Sequence, residues 1–251
     1  MLERRIEEAA LNSWPALQQV LFDGWVIRFA NGYTKRANSV TPVYPSSLPV
    51  QDKIAFCEQH YREQQQPTIF RLPSFSDDAQ VLDDLLGQRE YRFADLTLVL
   101  STLLPTKLTT NDTMLKPAFQ AVPLDEWLSC YRSLNQANEE LQAFHRAILQ
   151  HIVPQTLFAV YYEQDTPVAC GVGVLEHEIF GLFDIITHPA QRRKGYGTQL
   201  VSGMLNWASE RGASRAYLQV VSTNQDARGL YAKFGFQENY HYWYRIQTTG
   251  G

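Results

Sequence analysis

Residues 183–200 carry the chemistry most readily read from this chain: Phe183-Asp184-Ile185-Ile186-Thr187-His188-Pro189-Ala190-Gln191-Arg192-Arg193-Lys194-Gly195-Tyr196-Gly197-Thr198-Gln199-Leu200. An apolar, β-branched run predicts a strand, and Pro189 ends it because proline has no N–H for a ladder. Three cations, Arg192, Arg193 and Lys194, then lead into Gly195-Tyr196-Gly197-Thr198. That order suits a phosphate. Glycines let the backbone approach an anion, the first amides of a helix are unpaired donors, and cations add charge at the same mouth. A helix is predicted over 195–211, with Leu200, Met204 and Leu205 on one face and Gly212 as its stop. An ordinary strand-to-helix turn with solvated cations would look the same in isolation, so the continuation decides.

The continuation is a strand over 216–221, a capped helix over 224–234, Gly235, and a further strand over 236–246. Arg192-x-x-Gly195-x-Gly197, then Asn224, then Leu230-Tyr231-x-x-x-Gly235-Phe236 resemble the GCN5-related N-acetyltransferase (GNAT) superfamily. The resemblance covers residues 115–246, about half the chain. It implies an α+β fold, a mostly antiparallel mixed sheet flanked by helices. It also implies acetyl-CoA as cosubstrate and direct acetyl transfer to a primary amine within a ternary complex. On that likeness the diphosphate falls to Arg192, Arg193, Lys194, Gly195, Tyr196, Gly197 and Thr198, and the pantetheine arm to the backbone of Ile185, Ile186 and Thr187. Asn224 is a further cofactor contact and Tyr231 the general acid. A phenol of pKa ~10 can protonate a thiolate whose conjugate thiol has pKa ~8.5.

The base is less plain. Many members of the superfamily carry Glu five residues before the matching Asn. Here that position is Gln219, which takes no proton at neutral pH. Asp184, Glu176 and His188 are the candidates. Asp184 comes first, as an acid within an apolar strand, where burial would raise its pKa. Two other readings stay open: a non-catalytic acyl-CoA-binding or interaction protein, which Gln219 favours, and a peptide N-α-acetyltransferase. The run Tyr240-His241-Tyr242-Trp243-Tyr244 reads as an alternating strand with one packed face.

These elements sit in a chain of 251 residues, 45% hydrophobic, with formal net charge −4. Its acidic balance and lack of a long basic run argue against a nucleic-acid partner. Cys57, Cys130 and Cys170 show no metal-ligand spacing, so no metal is expected, and an unframed odd count fits a reducing compartment. The charged first residues carry no apolar signal core, and no apolar run approaches the ~20 residues of a membrane span. A cytoplasmic enzyme is expected, with no membrane partner and a small-molecule or peptide amine as acceptor. A homodimer is left open.

Two domains are expected. Residues 1–105 read as an N-terminal GNAT-like module lacking the acetyl-CoA loop, and 112–247 as the catalytic domain, with the linker over 103–113. In the first, helix is expected over 2–21, broken near Pro15, and over 50–64 and 77–88. Asp23-Gly24 reads as a turn, and strands are expected over 25–30, 37–44, 68–72 and 91–102. Leu85-Leu86 and Tyr91 can be laid on Leu230-Tyr231 and Phe236, which suggests an internal repeat. The corresponding loop over 44–50 has neither Gly-x-Gly nor a cation, so the first half reads as structural, or as one wall of the substrate cleft. In the second, a strand over 114–122 and helices over 126–134 and 138–152, the latter with Leu141, Phe144, Ile148 and Ile152 on one face, precede strands over 156–163, 167–175 and 178–187.

Overall fold

A computed structural model describes residues 2–105, 119–135 and 139–247. In chain order the elements are α1 (Leu2–Ser13), β1 (Gln18–Phe22), β2 (Trp25–Phe29), β3 (Val40–Pro42), α2 (Val50–Glu63), β4 (Ile69–Pro73), α3 (Ala79–Gln88) and β5 (Arg92–Leu103). Then follow β6 (Gln120–Ala121), α4 (Leu124–Asn135), α5 (Glu139–Gln150), β7 (Gln155–Glu163), β8 (Thr166–Glu176) and β9 (Ile179–Thr187). Last come α6 (Tyr196–Glu210), β10 (Arg215–Val221), α7 (Gln225–Ala232) and β11 (Gln237–Ile246). The linker beyond Pro105, residues 114–118 of the expected strand, and the tail after Gln247 lie outside the described residues.

By contacts the chain divides into two compact units. The first runs to Val99 and adds Val221–Thr223 and the chain from Glu238; the second is Leu100–Val220 with Asn224–Gln237. In the first unit the strands run β1-β2-β3-β4-β11-β5. β3 and β4 are parallel because α2 makes the crossover; β1–β2, β2–β3 and β4–β11 are antiparallel. Trp25, Ile27, Val40, Ile54, Tyr61 and Phe70 form its buried centre with Leu82 and Leu86 of α3. Arg71 pairs with the fully buried carboxylate of Glu7, which also accepts from Tyr240 Oη at 2.6 Å.

Two local expectations change here. Residues 18–22 form strand β1 rather than helix: α1 stops at Ser13, and the chain beyond Pro15 pairs with β2. The turn between β1 and β2 puts Asp23 and Gly24 at φ 41° and 81°, the left-handed pair that a two-residue hairpin needs. A Cβ on Gly24 would lie 2.5 Å from the carbonyl oxygens of Tyr44 and Pro45, so only glycine fits. The expected return strand over 37–44 shortens to Val40–Pro42, because Lys35–Ala37 form a 3-10 turn capped by Thr34.

Asp23 also does something a turn residue need not. Its carboxylate accepts from Ser47 N, Ser47 Oγ and Leu48 N at 2.8–3.1 Å and pairs with the buried Lys53 Nζ at 3.2 Å. The loop entering α2 thus has amides already taken by a side-chain anion. These hydrogen bonds, that from Leu48 N foremost, hold the Asp23 carboxyl far below the usual carboxylate range.

In the second unit the order is β10-β9-β8-β7-β6, with the end of β5 beyond β10. β6, β7, β8 and β9 pair antiparallel, while β9 and β10 are parallel because α6 crosses between them. α6 buries Leu200, Val201, Met204, Leu205 and Ala208, the spacing of one helical stripe. It ends at Gly212, φ 90°, with Gly212 N on Ser209 O and Ala213 N on Ala208 O, the double bond of a Schellman end. The sequence reading of an α+β, mostly antiparallel sheet flanked by helices holds. In α5 the buried residues are His145, Ile148 and Leu149, while Leu141, expected in the stripe, is exposed.

The Asp23 contacts carry a pH signature. A lowered folded-state pKa gives stability that is complete above the unfolded value of ~3.9 and shrinks as pH falls below it. Asp23→Asn is therefore expected to lower the urea midpoint at pH 7, with the gap to the parent protein narrowing from pH 5 towards pH 2. A gap independent of pH would contradict the ionised contact.

Candidate active site

The site begins where two strands part. β9 pairs with β10 from Ile179–Arg215 to Leu182–Leu218 and no further, although β9 runs to Thr187 and β10 to Val221. On its other side β9 stays with β8 up to Thr187–Ala169. The β10-facing edge of residues 184–187 therefore has no ladder partner among the described residues. Such an edge presents N–H and C=O groups to any amide-bearing chain laid along it. Asp184 to Thr187 are half-buried, whereas Ile179 to Phe183 are buried.

A bulge sits at the parting. Val172 opposes Phe183 and Cys170 opposes Ile186, so Gly171 faces both Asp184 and Ile185. Asp184 adopts φ 48°, a left-handed conformation that Asp tolerates better than most residues. Gly171 is needed opposite: a Cβ there would meet Ile185 Cδ1 at 2.4 Å and Met204 Sδ at 3.3 Å. The Gly171 carbonyl accepts from Trp127 Nε1 of α4 at 3.1 Å. Asp184 Oδ2 lies 2.8 Å from His145 Nε2 of α5. His145 is the residue that sequence reasoning missed. No motif contains it, and it lies far from Asp184 in the chain.

β9 delivers the chain to a turn, Pro189–Gln191, capped by His188, whose Nδ1 accepts from Ala190 N at 3.2 Å. That bond engages His188 in the turn. Arg193 at φ 64° and Gly195 at φ 89° then reverse the chain into α6. The first intrahelical bond is Gln199 N to Gly195 O, at 3.0 Å. The amides from Arg193 to Thr198 have no acceptor among the described residues. A run of unsatisfied amides at a helix N-terminus is a cradle for an anion. Gly197 faces the strand end: a Cβ would lie 3.1 Å from Thr187 Oγ1. The exposed cations are lightly held, Arg193 by Asp226 at 2.8 Å and Lys194 by Gln191 Oε1 at 2.8 Å, with Arg192 Nε 3.5 Å from Thr187 O.

Asn224 is exposed and caps α7, its Oδ1 accepting from Ala227 N at 3.1 Å. Tyr231 on α7 buries its ring against Phe236. Its hydroxyl has no hydrogen-bond partner among the described residues. Burial pushes that phenol well above its ordinary value. Gln219 lies half-buried on β10, beyond the last pair with β9. Glu176 pairs with Ile179 at the opposite end of β9 from the loop, so the fold does not bring it to the parting. Among the described residues no group of three or more His, Cys, Asp or Glu could hold a metal ion.

A family model described as "Probable histone acetyltransferase Rv0428c C-terminal" matches residues 3–245. The chain is 30% identical over 246 residues to the "Uncharacterized N-acetyltransferase YobR" of Bacillus subtilis, covering 97% of this chain and 98% of that protein. The fold is similar to a GCN5-related N-acetyltransferase from Kribbella flavida, with TM-score 0.72, 14% identity, and 99% and 96% of the two chains covered. It is also similar to a tandem GNAT protein from the clavulanic acid biosynthesis pathway, with TM-score 0.61, 11% identity, and 85% and 76% covered.

Neutralising the loop tests its ligand. Arg192→Gln/Arg193→Gln is expected to weaken CoA binding about 5- to 30-fold at low salt, as two exposed charge contacts of ~0.5–1 kcal/mol would. The difference should shrink at high salt. Calorimetric titration giving unchanged affinity would argue against a diphosphate at this loop.

Proposed function

The chain belongs to the Rv0428c-type acetyltransferase family within the GNAT superfamily, and from that premise we propose that it transfers the acetyl group of acetyl-CoA directly to a primary amine. One observation carries the reading: a strand edge released from its neighbour runs into a loop whose amides have no acceptor among the described residues. A released edge fits the amides of pantetheine, and the loop fits a diphosphate. CoA carries both, joined in that order.

Each residue then has a task. The amides from Arg193 to Thr198 hold the diphosphate, with Arg192, Arg193 and Lys194 adding charge. The backbone of Ile185, Ile186 and Thr187 holds the arm and fixes the acyl carbon near the bulge. Asn224 borders the same ligand from the start of α7. Holding both reactants in one cleft supplies most of the rate through orientation. Asp184 receives the proton of the attacking amine. As the C–N bond forms and the C–S bond breaks, Tyr231 gives its proton to the departing sulfur.

The raised pKa of Tyr231 has a cost and a use. A phenol harder to ionise is a weaker acid against a thiolate in water. Within the protein the thiolate is desolvated too, and burial raises a thiol just as it does a phenol: Cys57 is pushed up to about 12. Tyr231 remains protonated across the working pH range.

For the first unit we propose a GNAT-like module without a CoA site of its own. The Asp23 carboxylate occupies the amides of Ser47 and Leu48 at the mouth of α2, where a phosphate would have to sit. A lysine side chain, a peptide N-terminus and a small amine share the amine chemistry assigned here.

Thiol release measured over a panel of amines tests the reading. Turnover with at least one amine is expected, and tight CoA binding without turnover on any would favour a binding protein. Tyr231→Phe should lower kcat about 100-fold with CoA affinity within twofold, the usual scale for a general acid. Its loss should leave any fall in rate below pH ~10 unchanged, since the phenol does not ionise there. Equal losses in kcat and CoA affinity would contradict the acid role.

A further inference from the structure

Asp184 is not alone. His145 Nε2 stands 2.8 Å from its Oδ2, with the imidazole 2% exposed and the carboxylate 19%. The carboxylate is thus the open member and the ring stands behind it. The ring is clamped edge-on by Tyr131 at 4.9 Å and by Trp127 at 5.8 Å. Trp127 is itself tied to the Gly171 carbonyl opposite the bulge. One packed assembly therefore sets the bulge, the carboxylate and the imidazole together.

A lone carboxylate of pKa ~3.9 is a poor base for an amine of pKa ~10, whereas an imidazole near 6.5 is a far better match at neutral pH. We propose that Asp184 and His145 act as one base, Asp184 meeting the acceptor amine and His145 storing the proton behind it. This rests on the acetyl-transfer reading above. In the step the amine N–H bond breaks and an O–H bond forms at Asp184. The proton is then held across the 2.8 Å contact between Oδ2 and Nε2, and the product is carboxylate against imidazolium. One proton leaves the amine and one is gained by the pair.

The surroundings allow this. Among the described residues, Tyr131 of α4 meets the imidazole and the Cys170 thiol of β8 interacts with the Asp184 carboxylate. Burial pushes the Cys170 thiol far above its ordinary value, and the Tyr162 phenol that meets Cys130 is raised likewise. Arg146, next on α5, turns instead to Asp125. His145 is a positioning residue in this scheme, since it acts through Asp184.

His145→Gln separates the roles, because an amide can hold the carboxylate but cannot take its proton. The expected result is CoA affinity within twofold and a fall of about 100-fold in kcat/KM for the acceptor at pH 7. His145→Ala should be partly rescued by added imidazole, which also carries the test if the glutamine variant fails to fold. A folded glutamine variant with the parent rate, or a folded alanine variant that imidazole leaves inactive, would overturn the proposal. Failure of the parent protein to turn over any amine would instead sink the acetyl-transfer reading, so the two failures are distinguishable.

Discussion

Everything at the site follows from one limit on β9: it keeps β8 to its end but leaves β10 after Leu182. A backbone edge half-buried and unpaired is costly unless something else meets its N–H and C=O groups. The bulge at Asp184 and Ile185 lies at the parting, and bulges bend and twist the strand that carries them. Gly171 makes room for it, since any side chain there would strike Ile185 and Met204. Trp127 takes up the Gly171 carbonyl opposite the bulge. The open edge is thereby built into a well-packed region.

The two units treat the same physical problem in opposite ways. A loop that enters a helix after a strand has amides to satisfy. Before α2 the chain supplies its own anion, and Asp23 takes Ser47 and Leu48. Before α6 no side chain among the described residues does so, and the amides from Arg193 to Thr198 stay open. Closing the first loop stabilises the fold, while leaving the second open gives up stability for binding.

Much of this was legible in the residues. Gly195 and Gly197 between a cation run and an apolar stripe announced the loop, and Gly212 marked the helix end, because glycine at positive φ leaves few alternatives. The edge strand β1 was not legible. Its residues are mostly exposed, so they carry no alternation, and Gln18 to Leu21 suit a helix equally well. His145 was hidden for a different reason. A histidine on the buried face of α5 interrupts the apolar stripe, which drew the reading towards Leu141. Its partner across the fold is set by strand register and by a bulge, neither of which hydropathy reports. Asp23-Gly24 read correctly as a turn, but the reach of Asp23 to Ser47 depends on the fold.

The central claim is that the released β9 edge and the loop amides bind one ligand together. Residue-resolved amide hydrogen exchange with and without CoA measures this directly. The account predicts that the amides within 185–187 and 193–198 slow together on adding CoA, while those of Ser47 and Leu48 do not change. Exchange in both stretches that ignores saturating CoA, or protection appearing at Ser47 and Leu48 instead, would contradict it.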